Sequence, residues 1–406
     1  MKRNYGTVSI GVRTPIVREG DNLASIVVES VQNACDDLNM ELEDKDVIAI
    51  TESIVARSQG NYATVDDIAE DIRRKLDKAN GDRTVGLVFP ILSRNRFSMC
   101  LKGIARGADK VVIQLSYPSD EVGNKLVSDK EYYASNFDDM VDYYATENSW
   151  REVFPNTVHE FTGVDYLKYY REIIENEGAE CEIIFSNYPQ VLATTFDASI
   201  IIACDIHTRN RTIDELCTFT NPDVVYSLTD ILSEPINNSG YSKYGLLGSN
   251  KASNESVKLF PRISEAMDLV CEIQNQIKHN TGKNVEVMVY GDGAFKDPQG
   301  KIWELADPVV SPAYTNGLIG TPNEVKIKYL ADNEYANLNG EELSEAIKNS
   351  IRRKDNNLVG NMVSEGTTPR QLTDLLGSLS DLTSGSGDKG TPVVLIKGYF
   401  DNYTND

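Results

Sequence analysis

Short apolar runs recur along this chain, and nearly every one ends in a cluster of polar residues. Val8–Val12, Val47–Ile50, Thr84–Phe89, Lys110–Leu115, Cys181–Phe185, Ser199–Cys204, Val285–Tyr290 and Pro392–Lys397 each read as a strand. Between them lie segments with apolar residues at helical spacing. Leu23, Ile26, Val27, Val31, Ala34 and Leu38 share one face, after Asp21 or Asn22 as a cap. Ile68, Ile72 and Leu76 share another in Val65–Ala79, and Val164–Glu177, Ile263–His279, Gly340–Arg353 and Pro369–Leu379 follow the same rule. Loose alternation of the two kinds predicts an α+β (mixed α/β) chain, with mixed sheets and flanking helices. Its 406 residues exceed the usual domain of about 150 and predict two or three.

Polar strand ends matter because α/β proteins bind ligands there. Asp46–Gly60, DVIAITESIVARSQG, runs from a buried strand into Thr51, Glu52 and Ser53, then Arg57. One such end could equally be a solvated turn; the others along the chain give it weight. Ser116–Asn124, carrying Glu121, follows the Lys110 strand, and Asp205–Arg211, carrying His207 and Arg209, follows the Ser199 strand. Gly291-Asp292-Gly293 follows the Val285 strand, with Glu304 and Asp307 beyond. A carboxylate between glycines suits a divalent cation, and the same tripeptide also forms a plain turn. Asp205, Glu121, Glu304 and Asp307 are further metal candidates. His207 reads as a base, a nucleophile or one member of a hydrogen-bond network.

Charge narrows the partners. The formal net charge of −22 argues against nucleic acid, whose phosphates need a positive field. A phosphate ligand needs only a few local cations or a metal. Arg94, Arg96, Lys102 and Arg106 form such a basic group, which either pairs with the protein's own acids or receives an anionic substrate. With only His159, His207 and His279 available, a metal would be held by oxygens, as magnesium or manganese is. Six scattered cysteines without a CxxC pair predict free thiols in a reducing cytoplasm. No apolar run approaches the roughly 20 residues of a membrane span, and MKRNYGTVSIGV lacks the apolar core of a secretory signal. Asp129–Trp150, acidic and tyrosine-rich, reads as a peripheral lid or interface element, and Asp381–Gly390 as a flexible Ser/Gly segment. The chain has no GxxxxGK[ST] or GxSxG motif and no GxGxxG after its first strand, so P-loop, dinucleotide and α/β-hydrolase chemistry lose their main support.

Four patches carry a more specific message. Arg13-Thr14-Pro15-Ile16 with Arg18–Leu23 precedes Asp46–Gly60 at a set distance; then come Gly248-Ser249-Asn250, Gly282–Asp292 and the tail Gly385–Gly398. Together they resemble the coenzyme F420 gamma-glutamyl ligase family, which uses GTP to add glutamate through a gamma linkage to a phosphorylated deazaflavin precursor. The resemblance implies that Arg13, Thr14, Pro15, Ile16, Glu52, Ser53, Ser249, Asn250, Ser386 and Asp388 contact a nucleotide. It sets Arg57 on the family's lysine, and Arg57 and Asp292 become the catalytic candidates. Leu247 falls where the family has a metal-binding aspartate. Asp292 falls on the threonine of a metal-binding Asp-Thr pair, or on its aspartate after a one-residue shift. Residues 82–230 find no counterpart.

The expectation that follows is a GTP- or ATP-dependent ligase using Mg2+ or Mn2+, joining glutamate or a similar amino acid to a carboxylate acceptor through an acyl phosphate. Arg94, Arg96, Arg106, His207 and Arg209 are its acceptor candidates. The nucleotide core would comprise 1–80 plus 232–330, with 81–231 as an inserted acceptor segment and 331–406 completing the core. The family implies a homodimer. The alternative is a nucleotide- or phosphometabolite-binding protein of the same scaffold without ligation, which the loss of a carboxylate at Leu247 favours.

Overall fold

A computed structural model describes residues 4–79, 81–160, 162–291, 311–365, 370–384 and 388–404. In chain order, β1 (Val8–Val12), α1 (Leu23–Asp37), β2 (Val47–Thr51), α2 (Glu52–Ser58), β3 (Tyr62–Thr64), α3 (Val65–Ala79), β4 (Thr84–Val88), α4 (Phe97–Gly107) and β5 (Lys110–Leu115) come first. α5 (Asp129–Ser135), β6 (Ala145–Thr146), α6 (Glu147–Val153), α7 (Tyr166–Asn176), β7 (Glu180–Phe185), α8 (Val191–Thr194), β8 (Ile200–Ala203), α9 (Arg209–Leu216) and β9 (Val225–Ser227) follow. After a looped stretch come β10 (Asn250–Lys251), β11 (Ser256–Lys258), α10 (Ile263–Thr281), β12 (Glu286–Tyr290), β13 (Ala313–Tyr314), α11 (Ile327–Tyr329), α12 (Gly340–Arg353), α13 (Leu372–Ser384) and β14 (Val393–Lys397). The class is α+β.

One sheet has the order β1-β14-β2-β12-β13. Only β2 and β12 run parallel. Register sets Val12, Val393, Ile50, Val289 and Ala313 in one row across all five strands, and each is buried. Alternation along β2 sends Ile48 and Ile50 to one face and Val47 and Ala49 to the other. The first face packs on Val27 and Val31 of α1 and Ala266, Val270 and Ile273 of α10. The second is covered by Leu376 of α13.

A second sheet, β6-β7-β5-β4-β8-β9, uses a continuous stretch of chain, and all its strands except β6 run parallel. Such a sheet must be covered on both faces. Val191, Leu192 and Leu216 of α8 and α9 lie on one side, and α3, α4 and α7 bury Ile68, Leu101 and Tyr170 on the other. α3 therefore packs with this sheet rather than with the five-stranded one. It approaches α4 closely, because a Cβ on Gly103 would lie 2.5 Å from Ile68 and one on Gly107 2.7 Å from the Ala69 carbonyl. The third sheet, β10-β11-β3, is small and antiparallel.

Asp129–Trp150, expected as a peripheral lid or interface element, is anchored by aromatics: Tyr132, Phe137 and Trp150 are buried, and Trp150 stacks on Phe185 with ring centroids 3.9 Å apart. Its short helices bury aromatics without a long periodic face. The first residues of the expected flexible Ser/Gly segment instead continue α13 to Ser384, where Ser380 and Thr383 hydroxyls donate to carbonyls one turn back. Among the described residues no helix is long and apolar enough to cross a membrane. All six cysteines are free thiols.

Candidate functional site

The buried row across the five-stranded sheet ends in four polar segments. Arg13–Ile16 leave β1, Thr51–Ser53 leave β2, Gly291 leaves β12, and residues 388–392 lead into β14. Backbone contacts hold them together at one edge. The Thr14 N–H donates to the Gly390 carbonyl at 3.4 Å, and the Thr51 N–H to the Pro392 carbonyl at 3.0 Å. Thr51 caps α2. Glu52 is buried at the start of that helix, Ser53 is exposed beside it, and Arg57 is exposed near its end. Arg13, Pro15 and Ile16 are exposed, and Asp388 is exposed on the turn before Gly390.

The small sheet adds a residue that sequence reasoning missed. Asn61, fully buried, donates through Nδ2 to the Phe260 carbonyl at 2.6 Å and the Tyr241 carbonyl at 2.9 Å. Its Oδ1 accepts from the Tyr241 N–H and from Arg262, both at 3.0 Å. That clasp ties residues 241–262 to the end of α2. It brings Lys258, opposite Tyr62 in the β11–β3 pair, to the strand end. Lys258 Nζ lies 3.2 Å from Glu52 Oε1 and donates to Ser53 Oγ at 2.7 Å. The available signal was a lone lysine inside the apolar run Val257-Lys258-Leu259-Phe260. Asn250 lies directly opposite Lys258 across β10–β11, so their side chains share a face. Glu52, Ser53, Lys258 and Asn250 thus assemble from three stretches of chain.

Asn250 also faces the second sheet. Asn95 Nδ2 donates to Asn250 Oδ1 at 3.4 Å, and the Lys251 N–H donates to the Asn95 carbonyl at 3.3 Å. Ser249, buried, has its hydroxyl 3.5 Å from Cys100 Sγ. Leu247 is 2 % exposed in the apolar core, so it offers no carboxylate.

At the carboxyl end of the six-stranded sheet, the loops after β5 and β8 meet. The Glu121 carboxylate accepts from the backbone N–H of Ile206, from that of His207 at 3.1 Å, and from the Thr208 hydroxyl at 3.3 Å. Asp205 is buried; Thr208 and Thr212 hydroxyls donate to its Oδ2, and burial raises its pKa. Asp205 Oδ1 has no hydrogen-bond partner among the described residues. Both acids hold the loop itself. Asp120 accepts from the Leu92, Val122 and Asn124 N–H groups, and burial pushes its pKa up to about 6. His159 accepts at Nδ1 from the Thr162 N–H at 3.0 Å, which leaves Nε2 to donate to Asn124 Oδ1 at 3.2 Å. His207 is exposed, and Arg209 donates back to the Ile206 carbonyl.

The basic group does not form one patch. Arg94 is exposed and Arg96 half-buried, both at the start of α4 beside Asn95. Arg106 stands about 15 Å along the helix from Arg96, at about 1.5 Å per residue. It pairs with Glu177 and Asp66 at 2.7 Å and with Glu255 at 3.0 Å, and these acids raise its pKa. Arg106 therefore answers the protein's own acids. Asp292, Glu304, Asp307 and Ser386 lie outside the described residues. Among the described residues no three His, Cys, Asp or Glu side chains gather to hold a metal ion.

A cradle with one ammonium, a carboxamide and several hydroxyls at converging strand ends can receive an anionic ligand. A family model described as F420-0:Gamma-glutamyl ligase matches residues 11–398. The match runs through 82–230, the segment for which the resemblance in sequence offered no counterpart. No curated protein matches the chain.

Proposed function

The chain belongs to the F420-0:gamma-glutamyl ligase family, ligases of coenzyme F420 biosynthesis, and from that premise we propose a nucleotide-dependent amide synthesis at the sheet edge just described. The carboxylate acceptor takes the terminal phosphoryl group of GTP or ATP, giving an acyl phosphate and a nucleoside diphosphate. The glutamate amine then attacks the acyl carbon, phosphate leaves with the C–O bonding pair, and the amine loses a proton. Activation is needed because a free carboxylate is a poor electrophile toward an amine.

The observation that carries this reading is the convergence of Arg13–Ile16, Glu52, Ser53, Asn250 and the segment containing Asp388 from distant parts of the chain. We assign these, with Ser249 and Ser386, to the nucleotide, and Arg57 to the oxygens of the transferred group, where a guanidinium fork suits phosphate. Arg94, Arg96, His207 and Arg209 are assigned to the acceptor, since the Asn95–Asn250 contact joins the two sheet ends. Mg2+ or Mn2+, when bound, would offset phosphate charge. The described residues do not by themselves make its site, and Asp292 is the proposed ligand on sequence grounds alone.

The test is release of nucleoside diphosphate by the purified protein with glutamate and a carboxylate acceptor, the deazaflavin precursor first. Release that requires both co-substrates, and falls at least about tenfold in Asn250→Ala, supports the ligase. The burial of Leu247 favours a second reading, a protein that binds the nucleotide without ligation. Nucleotide binding with no product would select it.

A further inference from the structure

Lys258 is a feature of the sheet edge that neither composition nor motif pointed to, and its surroundings are unusual. Its side chain is 12 % exposed and that of its partner Glu52 8 %. A buried ion pair is no better for stability than apolar residues of the same volume, and often worse. Val257 and Leu259 beside it in sequence belong to the apolar core, while Lys258 on the alternate face meets Glu52 and Ser53 and lies opposite Asn250. The charge therefore calls for an explanation beyond folding.

The geometry supplies one. An ammonium has three N–H donors. Among the described residues Lys258 uses two, one on Ser53 Oγ and one on Glu52 Oε1. Glu52 and Ser53 fix the position of the ammonium without exhausting it. Asn250, on the same face, is held loosely, with side-chain contacts of 3.4 Å to Asn95 and 3.5 Å to the Gly248 carbonyl. An ammonium and a carboxamide side by side at a strand end match phosphate oxygens: the first as a compact point charge, the second as a neutral donor. In a chain of net charge −22, a polyphosphate also needs a fixed local cation to overcome the general field.

We propose that Lys258 is a phosphate-binding cation of this site additional to Arg57, positioned by Glu52 and Ser53, and that it selects a nucleoside triphosphate over the bare nucleoside. The assignment rests on the nucleotide reading above and goes beyond it in naming a residue that reads the phosphates. Arg57, the residue set there by sequence resemblance, is exposed on the far part of α2, whereas Lys258 sits at its start.

Calorimetric titration with GTP and guanosine, and with ATP and adenosine, tests it on wild type, Lys258→Met and Lys258→Arg. Lys258→Met is expected to weaken triphosphate binding about tenfold or more while leaving nucleoside binding unchanged, with Lys258→Arg between the two. Should Lys258→Met misfold because Glu52 loses this contact, the Glu52→Gln/Lys258→Met pair, read against Glu52→Gln alone, removes that charge and serves in its place. On the unmutated protein, bound triphosphate should shield Lys258 from an amine-reactive label, read by mass spectrometry, and the nucleoside should not. Equal triphosphate affinity in wild type and Lys258→Met, or labelling indifferent to the triphosphate, overturns the assignment and leaves the nucleotide reading intact. A wild-type protein that binds neither triphosphate overturns both.

Discussion

Asn61 shows how one side chain can decide whether a site exists. Its carboxamide makes four hydrogen bonds to residues about 180 to 200 positions away, and no water can replace them in full burial. Asn61→Leu keeps the approximate volume and removes all four. The Phe260 and Tyr241 carbonyls then lose a buried partner, at a cost of about 3 kcal/mol or more. The expected outcome is a lower urea midpoint with an unchanged slope, together with weakened nucleotide binding, because Lys258 rides on the same segment. A stability loss without any binding loss would show that the clasp does not position Lys258.

At the level of elements, α6 and α7 are joined by charge. Glu147, at the start of α6, takes Arg151 at 2.8 Å and Arg171 at 2.5 Å, while Arg151 also reaches Asp165 at 3.0 Å. Burial alone would raise the Glu147 pKa, but the two guanidiniums more than offset it and hold the group below its ordinary 4.5. A carboxylate whose folded pKa is depressed contributes stability above its unfolded pKa and loses it as pH falls through the folded one. The thermal midpoint should therefore fall more steeply below about pH 4.5 in wild type than in Glu147→Gln, measured by circular dichroism. Parallel profiles would remove Glu147 as the cause. Other elements were legible beforehand: β1, α3 and β5 have the bounds their periodicity predicts. β3, β10, β11 and β13 were not, because strands of two or three residues carry no period and exist only through their partners. α2 was hidden for another reason: its Glu52, Ser53 and Arg57 read as a polar strand end, and Thr51 as the cap became visible only in three dimensions.

Over the whole molecule, the candidate site is a product of convergence. Motif matching could find Arg13–Ile16, Thr51–Ser53 and Asn250 because each is a contiguous stretch beside a strand. It could not find Lys258 or Asn95, whose roles depend on which distant chain they meet. Nor could it separate Arg106 from Arg94 and Arg96, which share a helix but not an end. Since the small sheet meets α4 and the loop before it through residues 249–255 and meets the end of β2 through Lys258, a ligand seated between them should be felt by both larger sheets. Amide hydrogen exchange with and without saturating GTP and Mn2+ can read this directly. A ligand at 100 times its dissociation constant adds about 2.7 kcal/mol to the folded state, enough to slow exchange about a hundredfold wherever opening releases it. Slowing should appear together at residues 13–16, 51–53, 250–258 and 388–392, and in the 92–96 loop, while α12 exchanges as before. Protection confined to the five-stranded sheet would mean that the nucleotide binds without engaging the second sheet, and the acceptor would then have to be sought elsewhere than at Arg94 and Arg96.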